Sequence, residues 1–222
     1  MGKMRTAATT AVATRLLARA NARVVACFGT GRHGGFQLDA VCAVRTIDEV
    51  KVFGRNEARV ANFCATMSKK LDVAVRAVKT PREAVAGADI INVMTPSPTP
   101  VFDGAWLEPG QHINAAGSNA LDRRELDLET IKRSDVIVVD SREVAELECG
   151  DLLPAFEAGL VHWKHLPELA DIIAGRHAAR SSDQQITLFE SQGMCIEDLY
   201  VGKYVLDTAK LRNIGIDLPI DD

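Results

Sequence analysis

The spacing of apolar residues along this chain switches repeatedly between a helical period and short strand-like runs. Over residues 5–19 Ala, Val and Leu recur at helical spacing with no proline or glycine among them, which predicts a helix. After a break at Asn21, the run ARVVACF at 22–28 is apolar and β-branched and ends at glycine, as a buried strand does. Helical spacing returns over 36–44, and EVKVF at 49–53 alternates in strand fashion. The pattern then predicts a helix at 57–70, a strand at 73–77, and a short helix opened by Pro81 and reaching Gly87. Strands follow at 89–94, 111–115 and 135–139. Beyond Ser141 the pattern loosens: a helix carries 144–149, 185–189 is one more strand, and 195–211 is a terminal helix.

Strands and helices alternating at these intervals suit parallel crossovers. The expected class is α/β, a doubly wound, mostly parallel sheet of Rossmann type with flanking helices. A helix at 1–20 leads into the main domain at 21–190, and residues 191–222 supply a C-terminal helix and tail. The acidic end at 217–222 is expected to fray.

Between the first strand and the following helix stands Gly29-Thr30-Gly31-Arg32-His33-Gly34, a G-x-G-x-x-G pattern. The first glycine lets the chain turn off the strand, the second leaves room for backbone to approach a pyrophosphate, and the third lets helix and strand pack closely. The phosphates would lie at the helix N-terminus, where unpaired N–H groups and the macrodipole favour negative charge. The bare pattern also serves ordinary turns; its place after a strand and before a helix points to a nicotinamide dinucleotide. Arg32 and His33 have the reach to touch phosphate or nicotinamide, and equally to point into solvent. The second strand ends Phe53-Gly54-Arg55-Asn56, with glycine where an acid would hold the ribose hydroxyls of NAD and arginine beside it. NADP(H) is therefore favoured over NAD(H), the alternative being that Arg55 is a surface arginine pairing with Glu57 or Glu83.

Composition narrows the picture by exclusion. A net charge of −4 with scattered basic residues offers no footprint for nucleic acid, and no stretch approaches membrane-spanning length. The five cysteines lie far apart without metal spacing, so zinc is not expected. Cys27, Cys42 and Cys64 sit among apolar neighbours, which suits small core residues in a reducing, cytoplasmic setting. The first fourteen residues lack a continuous apolar stretch, which argues against a signal peptide, although an organelle-targeting reading stays open.

Together these stretches resemble the ornithine cyclodeaminase/μ-crystallin family over nearly the whole chain. The matching segments are RTAATTAVATRLLA (5–18), the glycine loop, VFGRN (52–56), VMTPSPTPVFDGAWLEPGQHINAAGSN (93–119), RRELD (123–127), VVDSRE (138–143) and TLFESQGMCIEDLY (187–200). Family members include cyclodeaminases, imine reductases, alanine dehydrogenases and an NADPH-binding crystallin. The likeness implies that Arg5 contacts cofactor phosphate or substrate and that Arg32 and His33 lie over the pyrophosphate. Thr95 and the run Ile113, Asn114, Ala115 and Ala116 would face the nicotinamide, and Arg55 and Asn56 the adenosine side. Arg123 and Ser191 would complete the cofactor pocket, with Gln192 near the substrate.

Two departures bear on activity. Family chains carry an N-terminal domain before the arginine-threonine-alanine helix, which supplies the dimer interface and part of the substrate platform. This sequence begins at that helix, so most of the substrate platform is expected to be missing here, and a homodimer would form through the missing domain. Cyclodeaminases also carry an aspartate acid/base after the Gly-Gly or Gly-Ser turn, where this chain has Asn119. Asparagine hydrogen-bonds but exchanges no proton near neutral pH. The expected activity is hydride transfer at the C–N bond of an amino acid or its cyclic imine, imine reductase or amino-acid dehydrogenase ahead of cyclodeaminase. A crystallin-like binding protein without turnover, or an inactive fragment, is the alternative. Asn119 and Arg5 are the catalytic-site candidates, with Asn119 holding the nicotinamide ribose or a substrate polar group by hydrogen bonds, or else capping the turn after Gly117-Ser118.

Overall fold

The computed structural model describes residues 2–216, so the expected fraying at 217–222 lies outside them. Seven strands form one sheet: β1 Val24–Phe28, β2 Glu49–Phe53, β3 Ala74–Ala77, β4 Ile90–Val93, β5 His112–Ala115, β6 Val136–Val139 and β7 Thr187–Glu190. Their order is β3-β2-β1-β4-β5-β7-β6, and every pairing among them is parallel. Because β1 lies between β2 and β4, successive crossovers leave it in opposite directions and open a crevice at the carboxyl ends of β1 and β4.

The apolar runs are explained by burial on both faces. In β1, Val25 and Cys27 join Val50, Val52 and Ile90 in one core, while Ala26 and Phe28 join Ile91, Val93, Ile113 and Leu188 in the other. A third cluster packs Ala13 and Leu17 of helix α1 (Gly2–Leu17) against Val138, Phe189, Leu169 and Ile172. The last carbonyls of α1 are gathered by Arg45, whose Nη2 donates to Thr14, Arg15 and Ala18 at 2.8–3.1 Å.

The expected helices are present: α2 Gly34–Val44, α3 Glu57–Leu71, the short α4 Pro81–Val85, α6 Arg142–Glu148 and α9 Cys195–Leu211. Helix α2 starts two residues earlier than its periodicity suggests, because glycine carries no hydropathy signal. Three one-turn helices, α5 Leu128–Arg133, α7 Leu153–Glu157 and α8 Leu169–Ile173, escape a 3.6-residue pattern altogether. They are marked by caps instead: Asp127 accepts from Thr130 N–H, Pro154 stands in the first turn of α7, and Glu168 and Asp171 form a capping box. Among the described residues no helix is long and apolar enough to cross a membrane.

Candidate functional site

The crevice at the switch point is a two-part groove. Its first part, about 680 Å³, runs between the end of β2 and the loop after β4, past Gly29–Gly31, Gly54–Asn56 and Arg59. The second, about 570 Å³, lies between the start of α1, the loop after β5 and the segment after β7. Gly31, Met94, Thr95 and Pro96 border both parts.

The glycines act as their spacing suggests. Gly29 has φ +114°, and a Cβ there would overlap the Met94 carbonyl; at Gly34 it would overlap the carbonyl of Gly29. At Gly31 nothing lies within 4 Å of that position, so the backbone is bare toward the groove. Helix α2 begins with His33 at its N-cap and no side-chain cap. Gly34 and Phe36 N–H donate to the carbonyls of Gly31 and His33, while Gly35 N–H has no acceptor among the described residues and can meet an anion. Burial, with Lys3, Arg32 and Arg5 nearby, holds His33 below the usual imidazole pKa, so the cationic rim comes from Lys and Arg. An uncapped helix start, a bare glycine and a cationic rim together fit a pyrophosphate.

Most of the residues singled out in the sequence meet on this groove. Arg55 and Asn56 line the first part, both exposed, and Asn56 also caps α3 by accepting from Arg59 N–H at 2.9 Å. Arg55 forms no ion pair with Glu57 or Glu83. Arg5, Arg32, His33, Ala116, Asn119, Arg123, Ser191 and Gln192 line the second part. Arg5 is held there by the acidic first turn of α9, with Nη1 2.9 Å from Glu197 Oε2 and Nε 3.3 Å from Asp198.

Four expected residues do not reach the groove: Gly34, buried against the Gly29 carbonyl, and three residues of β5. Ile113, Asn114 and Ala115 are buried in β5, and only Ala116, past the strand end, borders the opening. Asn114 instead donates to Thr14 Oγ1 and Asn92 Oδ1 at 3.0 and 2.9 Å and meets His112 Nε2 at 3.0 Å. Burial pushes His112 down to about 3, so this polar knot is neutral. A strand covered on both faces directs side chains into the two cores, and only its C-terminal loop can touch a ligand. The expected core cysteines also divide: Cys27 and Cys64 are buried, whereas Cys42 is half-buried.

Sequence reasoning passed over several residues. Arg59 joins Arg55 on the first part, one helical turn along α3. Asp140, at the end of β6, accepts from Ser191 Oγ at 3.0 Å and Gly193 N–H at 2.6 Å, and so fixes the segment carrying Gln192. Glu125, behind the second part, accepts from Thr95 Oγ1 at 2.6 Å and from Gly117 N–H at 2.9 Å. Burial pushes its carboxyl up to about 8, against the pull of those donors. Asp151, which accepts from the N–H groups of Glu125 and Leu126, is raised to about 6, also by burial. Asp140, directly after the apolar run at 136–139, offered a signal; Glu125, among Arg123, Arg124 and Asp127, offered none.

Known proteins resemble this chain over nearly its whole length. The chain is 37% identical over 213 residues to a Δ1-pyrroline-2-carboxylate reductase of Bacillus cereus, covering 96% of this chain and 65% of that protein. The chain thus spans somewhat less than two thirds of such a relative's length. It superposes with a TM-score of 0.94 and 38% identity on Thermococcus litoralis Δ1-pyrroline-2-carboxylate reductase, solved with NADH and L-proline, covering 98% of this chain and 67% of that one. An archaeal alanine dehydrogenase dimer with bound NAD superposes with a TM-score of 0.91 at 32% identity, covering 99% and 67%. The model of the ornithine cyclodeaminase/mu-crystallin family matches residues 1–213, and this chain belongs to that family.

Proposed function

We propose that this chain is the dinucleotide-binding part of an oxidoreductase that interconverts an amino acid and its imine, cyclic imines such as pyrroline carboxylates foremost. The observation that carries the proposal is the bare Gly31 backbone at the uncapped start of α2, opening on a groove that continues to Asn119, Arg123 and Gln192. The B. cereus and T. litoralis relatives, both named for pyrroline carboxylate reduction, support the substrate class. A nicotinamide cofactor, when bound, supplies or accepts the hydride at the substrate carbon. The chain's own residues bind and orient: the α2 N-terminus and Arg32 hold pyrophosphate, Thr95 and Ala116 border the nicotinamide end, and Arg123, Ser191 and Gln192 close the pocket around it. Arg5 is placed to meet phosphate or a substrate carboxylate.

Arg55 and Arg59 favour NADP(H), since both rim the groove where the 2′-phosphate would lie and Gly54 offers no carboxylate to the ribose. Asn119 offers hydrogen bonds and no proton, which favours reduction of a preformed imine over ring closure with loss of ammonia. The same feature supports a second reading, a dinucleotide-binding protein without turnover. Unpaired cysteines suit a cytoplasmic setting, and a small-molecule substrate rather than nucleic acid or membrane suits the groove. A homodimer is part of the proposal, by analogy with the alanine dehydrogenase. Titrating the protein with NADPH and NADH, then assaying a panel of cyclic imines and amino acids, tests both readings. Binding with turnover supports the first, binding alone the second, and no binding refutes both.

A further inference from the structure

The last ladder bond between β4 and β5 runs from Ala116 N–H to the Val93 carbonyl at 3.1 Å, and beyond it the two strands part to border the second half of the groove. Two N–H groups just past that point, those of Thr95 and Gly117, turn to one acceptor, the carboxylate of Glu125. Oε1 takes Thr95 N–H and Thr95 Oγ–H, and Oε2 takes Gly117 N–H. The approach is so close that a Cβ on Gly117 would overlap both the carboxylate and the Thr95 nitrogen. Glu125 is itself immobilised: it is fully buried, its N–H donates to Asp151 Oδ1 at 2.6 Å, and its carbonyl accepts from Val101 N–H at 2.9 Å. It does not line the groove.

We infer that Glu125 is a positioning residue, a side-chain substitute for the missing ladder bonds that holds the Thr95 and Gly117–Asn119 loops in the shape that seats the nicotinamide half of the cofactor. This rests on the dinucleotide reading above. A preformed loop binds at full affinity, whereas a loop in its competent shape for about a tenth of the time binds about tenfold more weakly. Glu125→Gln is the selective perturbation: its amide oxygen still accepts from Thr95, while its NH2 group faces Gly117 N–H, donor against donor.

The test compares Glu125→Gln with the unaltered protein at pH 9, above the value of about 8 at which Glu125 ionises, by titration with NADPH, NADH and 2′,5′-ADP, the last carrying the adenosine half and no nicotinamide. Both dinucleotides should weaken about tenfold while 2′,5′-ADP stays within about twofold. Equal weakening of all three would make Glu125 merely structural and overturn the inference, as would unchanged dinucleotide affinity in a folded variant. Should the variant fail to fold, amide hydrogen exchange on the unaltered protein decides. The inference requires slow exchange of the Thr95 and Gly117 amides already without cofactor, and fast exchange there that slows only on binding NADPH overturns it. If the unaltered protein binds neither dinucleotide, the dinucleotide reading fails and this inference with it, whereas an effect missing only in the variant overturns the inference alone.

Discussion

Gly29, Gly31 and Gly34 look alike in the sequence, and the structure separates them into two kinds. At Gly31 the space a side chain would enter is empty and φ is not positive, so Gly31→Val should cost the fold less than about 1 kcal/mol. That empty space is the groove, so the valine stands where pyrophosphate approaches backbone. Losing two charge-assisted N–H contacts at about 1.5–3 kcal/mol each weakens binding by about 3–6 kcal/mol. The dissociation constant of NADPH should therefore rise by roughly two to four orders of magnitude. Gly29→Ala behaves oppositely, because φ +114° is strained for alanine and its Cβ would meet the Met94 carbonyl. Backbone strain of about 1–2 kcal/mol and overpacking of about 1–3 kcal/mol together cost the fold about 2–5 kcal/mol. For a chain of this size that lowers Tm by roughly 4–20 °C. The assay pairs thermal melts without ligand with NADPH fluorescence titration. A Gly31→Val protein that melts normally and binds NADPH normally would refute the placement of the pyrophosphate, and a Gly29→Ala protein of unchanged Tm would refute the crowding argument.

Arg55→Ala should lower the ratio of NADPH to NADH affinity by roughly ten- to a hundredfold, one charge-assisted phosphate contact of about 1.5–3 kcal/mol, with Arg59→Ala acting in the same direction. An unchanged ratio in the double variant would end the preference for NADP(H). Glu125 and Asp151 bind protons more firmly in the folded chain, at about 8 and about 6, than at their ordinary values of 4.5 and 3.8. Their contribution to stability is therefore full below about pH 4 and is lost as pH rises through 6 and then 8. Melts across pH 6–9 should show a falling Tm that flattens in Glu125→Gln, and an equal slope in both proteins would contradict the burial effect. His112, pushed down to about 3, works the other way, its contribution lost as pH falls below 6.5. Asn119→Asp adds a negative charge to the phosphate-bearing groove and should weaken NADPH several-fold, more so at low salt. Ornithine turnover by the unsubstituted protein would overturn the case against cyclodeamination.

Much of this protein was legible as a string of residues. Alternating apolar runs determine the parallel sheet, because strands buried on both faces carry no polar side, and the glycine loop marks the crevice, because only glycine tolerates φ +114° and close backbone approach. Arg55 and Asn119 stand out for the same local reason, each next to a motif that fixes its place. The tertiary structure alone decided what depends on partners distant in sequence. That β7 lies between β5 and β6 follows from packing, since neither strand differs from its neighbours in pattern. Ile113, Asn114 and Ala115 share a matching segment with Ala116, yet strand burial hides the first three and strand termination exposes the fourth. Glu125 and Asp140 carry no mark of their partners in the chain. Each becomes a buried acceptor only when the fold brings donors to it, from Thr95 and Gly117 for the one and from Ser191 and Gly193 for the other, 8–53 residues away. Buried charge must be satisfied by hydrogen bonds, and which donors do so is settled by the crossing of strands rather than by any neighbour in sequence.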